Sequence, residues 1–415
     1  MDRRACPAAD ASGMKILVPL HGFVRWNGGL DLIRMIVAAL AHAPDTVEIH
    51  YALPKPSWKR RWLDRLSRNL GIFASPQKRA LLARGSQDAL LVTAEKMIGA
   101  TNCARIGTGA ADIARHANGI GADIVFPSFL ALPQRSPPWT GYVFDFQHID
   151  MPDLFSPRIR RRRDRAFRRI ARATGGLVVN SRAVADQCVA LLGVPRERIL
   201  AMRFTPYALP EWFDCDPTSV RAKYAIGDDF VLVCNHFWKH KDHATALRAF
   251  ASLIRIDEFR EWQLVCTGDP VDFRDPEHFR GLVSLASELG IADRLHVLGL
   301  VPKPEQLALL RSCRVLWQPT LYEGGPGGGA CYEAMGLGIP TILSDIPVNR
   351  EITEGPCAYF VPGSASDLVA QTTTLLSTSP HALDREAAIE AGKRRLRLLC
   401  DQLLAYLQAR VQQPR

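Results

Sequence analysis

The chain has 415 residues, 52 Lys+Arg against 42 Asp+Glu, a formal net charge of +10, and 47% hydrophobic residues. That composition supports a large apolar core and excludes a disordered, collagen-like or low-complexity chain. At about 100–200 residues per domain the length predicts two domains, while the positive balance by itself leaves nucleic acid, an anionic membrane, a phosphate-bearing ligand or simple solubility open.

Residues 1–13 are polar and mixed, which predicts a flexible tail. The apolar run that follows at 16–20 is too short for a signal peptide. From residue 14 onward, apolar runs of strand length alternate with segments of helical period. Strands are predicted over 15–20, 47–52, 123–127, 141–146 and 176–179. Helices are predicted over 30–40, 110–117, 156–173 and 183–192. A proline-marked stretch at 203–217 then separates a second series. Its strands fall at 230–234, 263–266, 295–298, 315–318 and 341–343. Its helices fall at 244–254, 277–289, 304–311 and 330–337. A long helix over 384–410 closes the chain. Alternating strands and helices imply parallel sheets covered on both faces. The expected division is 14–205, 206–390 and a terminal helical segment, 391–415. No stretch approaches the roughly 18 apolar residues of a spanning helix. The ten Cys are widely spaced, so neither a CxxC motif nor clustered zinc ligands is present. Their apolar settings predict buried reduced thiols and a reducing compartment.

The most informative segment runs from Leu321 to Pro340. Gly324, Gly325, Gly327, Gly328 and Gly329 give a loop whose backbone can approach a ligand closely. The helix that follows at once makes this junction a phosphate site. Glu333, expected in the first turn of that helix, is placed to accept hydrogen bonds from a diol such as a ribose. A second loop follows the strand 230–234 and carries His236, Lys239, His240, Lys241 and His243. His236 and Lys241 point to a diphosphate. The spacing of the three histidines also keeps a zinc site open, as it does a merely solvated loop. In the first half, Gly28 and Gly29 stand at the start of a helix after the first strand, where N–H groups can face a phosphate. Asp145 and His148 end a strand, and strand carboxyl ends line the cleft of open α/β sheets.

Together these residues resemble the family-4 retaining glycosyltransferases, glycosyltransferase group 1. The resemblance implies the GT-B fold: α/β, with two Rossmann-like domains facing each other across a cleft and the C-terminal helix crossing back to the first. In that family two glutamates bracket a Gly/Pro loop with seven residues between them. Here Glu323 and Glu333 have nine between them. The resemblance gives Glu333 the donor ribose and places Glu323 near the donor sugar. His236 stands where the family commonly has Arg, and Lys241 matches the family's diphosphate lysine. Leu300 and Val301 match the backbone beside the nucleotide base. Gly28 and Gly29 resemble the glycines facing the diphosphate. Many members carry a His-Asp pair at Phe144-Asp145, and Gln147-His148 matches a subgroup. Asp145 and His148 are therefore expected near the acceptor hydroxyl, with a satisfied structural histidine as the other reading of His148. The implied partners are a nucleotide-diphosphate sugar and a glycan or lipid-linked acceptor, with no metal and no cofactor. The implied activity is retaining transfer in bacterial polysaccharide or lipid-linked glycan synthesis, in the cytoplasm or on the inner face of the cell membrane. A nucleotide-sugar epimerase, a phosphorylase-like enzyme, or an inactive basic scaffold on the same fold stands as an alternative.

The residues from 158 to 172 include nine Arg and one Asp. They read as a solvated helix face or as an attachment to anionic lipid, at about 1 kcal/mol per basic residue. A second basic amphipathic stretch at 58–72 supports the lipid reading. No nucleic-acid-binding module is present.

Overall fold

The computed structural model describes residues 13–25, 27–55, 87–98, 102–202, 205–272, 274–378 and 383–412. The tail before residue 13 and the basic stretch at 58–72 lie outside them. Two fully parallel sheets form. The first contains β1 (Lys15–Pro19), β2 (Glu48–Pro54), β3 (Cys103–Ile106), β4 (Ile124–Ser128), β5 (Trp139–Tyr142), β6 (Gly176–Val179) and β7 (Ile199–Ala201). Their order across the sheet is β3-β2-β1-β4-β5-β6-β7. The second contains β8 (Phe230–Cys234), β9 (Gln263–Thr267), β10 (Leu295–Gly299), β11 (Val315–Gln318), β12 (Thr341–Ser344) and β13 (Cys357–Phe360). Their order is β10-β9-β8-β11-β12-β13.

The physical cause of the parallel arrangement is visible in the strands themselves. Every residue of β4, β6, β11 and β12 is buried, so helices must cover both faces. In each sheet the order reverses beside the first strand, between β1 and β4 and between β8 and β11. Ligands of open α/β sheets lie at the carboxyl ends of the strands beside such a reversal. This is the GT-B arrangement of two Rossmann-like domains.

The terminal helix Arg385–Val411 returns to the first domain. Its Tyr406 hydroxyl lies 3.0 Å from the carbonyl oxygens of both Leu177 and Arg198. It also contacts the helix Asn27–Leu40. The described cysteines are all free thiols. Among the described residues no helix is long and apolar enough to cross a membrane.

Three interior strands, β6, β8 and β11, coincide with the sequence expectation. One displacement has consequences for function. β5 ends at Tyr142 rather than at residue 146. The segment after it is irregular, and Gln147–Asp150 closes into a single helical turn.

Candidate active site

A cleft of about 660 Å³ opens between the two sheets, a size suited to a nucleotide-sized ligand. The loop after β8 supplies its first group. Asp242 adopts φ +46° and caps the helix His243–Leu253, its carboxylate accepting from Thr245 N at 3.3 Å. That cap fixes the preceding turn, Lys239–Lys241, and holds Lys241 over the cleft. The Lys241 ammonium is ion-paired to Glu323, and both side chains are only 12% exposed. Gln318 at the end of β11 donates to the same Glu323 oxygen at 3.2 Å and to Gly327 O at 2.8 Å. Glu323, itself held by Gln318, thus fixes the lysine ammonium over the cleft.

His236, on the same loop, accepts a hydrogen bond on Nδ1 from Asp269 N at 2.9 Å. That bond requires the neutral ring with its proton on Nε2. Burial lowers its pKa and Lys241 adds to the effect, against Asp269. The loop's remaining histidines serve the structure. His240 is buried, and burial with Lys241 and Arg274 nearby holds its pKa down at about 2. His243 stacks on Phe237 at 4.2 Å, and burial, with His278 and Lys241, brings its pKa to about 3. The three histidines do not converge, and no cluster of metal-ligand type forms among the described residues.

This pair predicts how stability responds to acid. Folded, both rings stay neutral; unfolded, they take up protons near the ordinary value of 6.5. Below that pH the unfolded chain binds more protons, so stability is lost as pH falls. The loss approaches about 1.4 kcal/mol per pH unit for each ring. The urea midpoint is therefore expected to drop between pH 7.5 and 5.5, and His243→Leu should shrink the drop. A midpoint unchanged over that interval would contradict the assignment.

The glycine loop enters the cleft from the opposite wall. Gly327 caps the helix Gly328–Gly336 with φ +64°, and a Cβ there would stand 2.6 Å from Cys331 Cβ. Its N–H is not free for a phosphate, because Asn349 Oδ1 accepts it at 2.8 Å. Gly328 and Gly329 begin the helix and line the cleft, at the end where helical N–H groups lack internal partners. Gly28 faces them from the first domain, with Gly29 buried behind it. Leu300 and Val301 line the same space.

Glu333 lies elsewhere than expected. The helix starts at Gly328, so Glu333 falls in its second turn. It is 5% exposed and does not form the cleft wall. One carboxylate oxygen is ion-paired to Lys303, while Oε2 is buried without a partner. Burial raises the Glu333 pKa and Asp31 adds to this, with Lys303 opposing. Burial also opposes the charge of Lys303, but Asp31 and Glu333 outweigh it, and its pKa stands above the ordinary value. Lys303 lies 3.4 Å from Asp31, a residue of the first domain that is ion-paired to Arg34. The sequence pointed to neither Lys303 nor Asp31. Asp31 sits one turn after Gly28, and Lys303 begins a helix just after Val301, so both were adjacent to residues already singled out.

On the acceptor side the structure brings Asp145 to the cleft and leaves His148 out. His148 is 1% exposed, and its Nε2 lies 2.9 Å from Asp164 Oδ1. The early end of β5 and the helical turn at Gln147–Asp150 rotate it into the domain, among Phe146, Phe155 and Phe167. Burial lowers its pKa, with Asp164 opposing. Arg163, read from the sequence as one of a solvated or lipid-facing row, instead turns inward. It pairs with the Asp145 carboxylate and lies 4.7 Å over the Phe144 ring.

The two domains touch directly at the cleft edge. Tyr322 OH accepts from Phe146 N at 3.1 Å, and Ser181 Oγ donates to Gly324 O at 3.1 Å. A Cβ on Gly324 would lie 2.4 Å from Phe144 O, so only glycine permits this approach. Glu351 reaches across to cap the helix Arg182–Leu192, accepting from Arg182 N and Ala183 N at 2.8 Å each. Its position at that helix end is electrostatically favourable.

Residues 218–395 match the model described as glycosyl transferases group 1. The match falls on the second domain, the one that carries the glycine loop and its glutamates. Over 193 residues the chain is 26% identical to D-inositol 3-phosphate glycosyltransferase of Nocardia farcinica, covering 45% of this chain and 41% of that protein. Over 114 residues it is 36% identical to MMP alpha-(1->4)-mannosyltransferase of Mycolicibacterium hassiacum, covering 27% and 26%. The matches thus span less than half the length of either relative. Among solved structures, Anabaena HepE in complex with UDP and glucose is similar over 95% of this chain and 98% of its own, with a TM-score of 0.59 at 14% identity. A glycosyltransferase from Rickettsia africae covers 97% and 100%, with a TM-score of 0.61 at 13% identity. These likenesses concern the fold.

Proposed function

We propose that the protein transfers a sugar from a nucleotide-diphosphate sugar to an acceptor hydroxyl with retention of anomeric configuration. The observation that supports this most is the convergence of Lys241, His236 and the start of the helix Gly328–Gly336 in one interdomain cleft. A leaving diphosphate gains negative charge as the glycosidic bond breaks, and fixed positive groups stabilise it. In this reading the diphosphate takes Lys241 from Glu323. It also receives the His236 Nε2 proton as a hydrogen bond, together with the N–H groups of Gly328 and Gly329. Leu300 and Val301 flank the base. Glu333 Oε2, buried beneath the cleft wall and without a partner, accepts from the ribose once the helix Gly328–Gly336 and the Lys303 side chain shift to admit the donor. Glu323, released from Lys241, lies beside the sugar. Asp145, held by Arg163, stands at the acceptor hydroxyl, and same-face attack with the proton passing to the leaving phosphate accounts for retention. No metal or cofactor is part of this scheme.

UDP-linked donors come first for testing, because the related Anabaena fold was solved with UDP and glucose. The curated relatives are named a D-inositol 3-phosphate glycosyltransferase and an MMP alpha-(1->4)-mannosyltransferase, which suggests a hydroxyl of a phosphorylated polyol or glycan as acceptor, with bacterial glycan assembly at the cytoplasmic membrane face as the setting. The test is a panel of UDP- and GDP-sugars scored for transfer and for donor hydrolysis, with the anomeric proton of the product read by NMR. Conversion of the donor sugar without an acceptor would instead indicate an epimerase. An inverted product would overturn retention.

A further inference from the structure

The arginine-rich helix Pro157–Ala173 serves more than one surface. Arg163 enters the active-site cleft, whereas four other arginines face a separate, open groove of about 1110 Å³. That groove lies at the amino ends of the first sheet's strands. Trp139 opens β5 there, and Thr174 and Gly175 precede β6. It is therefore on the side opposite the cleft. Its cations come from three parts of the chain: Arg165, Arg168, Arg169 and Arg172 from the helix, Arg198 before β7, and Arg410 from the end of the terminal helix. Among the described residues no Asp or Glu lines it. The helix's own carboxylate, Asp164, is turned away toward His148.

Two of the six are built into the fold. Arg198 is anchored through the Thr174 and Gly175 carbonyls, the latter at 3.3 Å from its Nε. Arg410 is only 9% exposed, lies 5.4 Å over the Tyr406 ring, and has Nε and Nη1 without any partner. A guanidinium buried without acceptors is unfavourable, and six cations in one groove repel one another. An arriving anion relieves that repulsion. The guanidinium fork matches phosphate oxygens in pairs, and six of them along one groove suit several phosphates rather than one. The remaining wall is stiffened by Pro133, Pro137 and Pro138 beside Trp139, with Gln134 and Ser136 adding uncharged polar groups.

We infer that this groove binds a multiply charged, phosphate-bearing ligand, whether a free oligophosphate or the phosphate headgroups of an anionic lipid. The site is independent of sugar transfer. It is tested on the full chain with tripolyphosphate by calorimetry and with phosphatidylglycerol vesicles, against phosphatidylcholine vesicles, by co-sedimentation at constant salt. Saturable binding of tripolyphosphate identifies a free ligand, and binding of the phosphatidylglycerol vesicles alone identifies a lipid. Arg410→Gln should weaken the observed binding roughly tenfold or more, as expected for a charge-assisted pair. The paired variant Arg168→Gln with Arg169→Gln, at exposed positions that folding does not need, should do the same. UDP binding should be unchanged in both. Arg158→Gln with Arg162→Gln removes equal charge from exposed positions of the same helix outside the groove, and should have little effect. Equal losses in that control, no saturable binding of either probe, or tighter binding of a short RNA at the groove would overturn the inference.

Discussion

Lys241→Ala is expected to lower kcat for sugar transfer by roughly 10²–10³-fold, the usual effect of removing one fixed group that stabilises developing negative charge. The structure adds a second consequence. Lys241 and Glu323 neutralise each other in a site where each is 12% exposed, so truncating the lysine leaves a poorly solvated carboxylate. Removing one partner of a buried pair costs about 3–5 kcal/mol. Here the remaining Gln318 bond to Glu323 at 3.2 Å and the open cleft reduce that cost. A lower melting temperature would therefore accompany the lost rate and confuse its reading. The double variant Lys241→Ala with Glu323→Gln separates them. Stability should recover because no unpaired charge remains, whereas turnover should not. Lys241→Arg keeps the charge and should retain nucleotide binding better than it retains rate, since a planar fork does not replace a point charge. Initial rates, UDP affinity and thermal melts of the four proteins make the comparison. A wild-type rate in Lys241→Ala would remove this residue from the mechanism.

Glu333→Gln is expected to weaken UDP binding roughly 10- to 100-fold, the worth of a hydrogen bond to a charged acceptor. The amide preserves shape while removing the charge that faces Lys303. Lys303 then keeps Asp31 at 3.4 Å. Glu333→Ala is the harsher change, because it also empties space within the helix packing and leaves Lys303 with less compensation. The decisive comparison uses 2′-deoxy- and 3′-deoxy-UDP. Against the wild type, one of them should lose about as much affinity as UDP loses on Glu333→Gln. Against the variant, that same analogue should lose little more, because the shared interaction is already gone. If the losses add fully, Glu333 does not contact the ribose and its role is confined to holding Lys303 against Asp31.

Much of the architecture was legible in the residues because both sheets are parallel and covered on two faces. A strand such as β8 must be apolar along its length, and such a run stands out against polar loops. The edge strands β3 and β13 were not legible. They are short, and most of their residues are only half-buried, so no continuous apolar run marks them. β7 has only three residues. The glycine loop and Lys241 were legible for another reason: close backbone approach and an anion site both depend on local residue types placed between a strand and a helix.

Partner choice was not local. Glu333 was recognised, but its burial beneath the cleft and its pairing with Lys303 depend on where the helix begins and on which loop the strand order places beside it. Arg163 and His148 both left their expected positions because β5 stops early and the chain turns back, sending the histidine inward and leaving the arginine to hold Asp145. The arginine row showed the same limit: its charge was evident from the residues, but its division between a cleft and a groove was not. By itself the sequence determined the two α/β halves, the glycine-rich anion site and the basic loop, since periodicity and backbone freedom are properties of neighbouring residues. Only the tertiary structure decided which charges meet, because Asp31 with Lys303, Asp145 with Arg163, and Arg410 with the helix arginines are joined by strand order and helix packing across long stretches of chain.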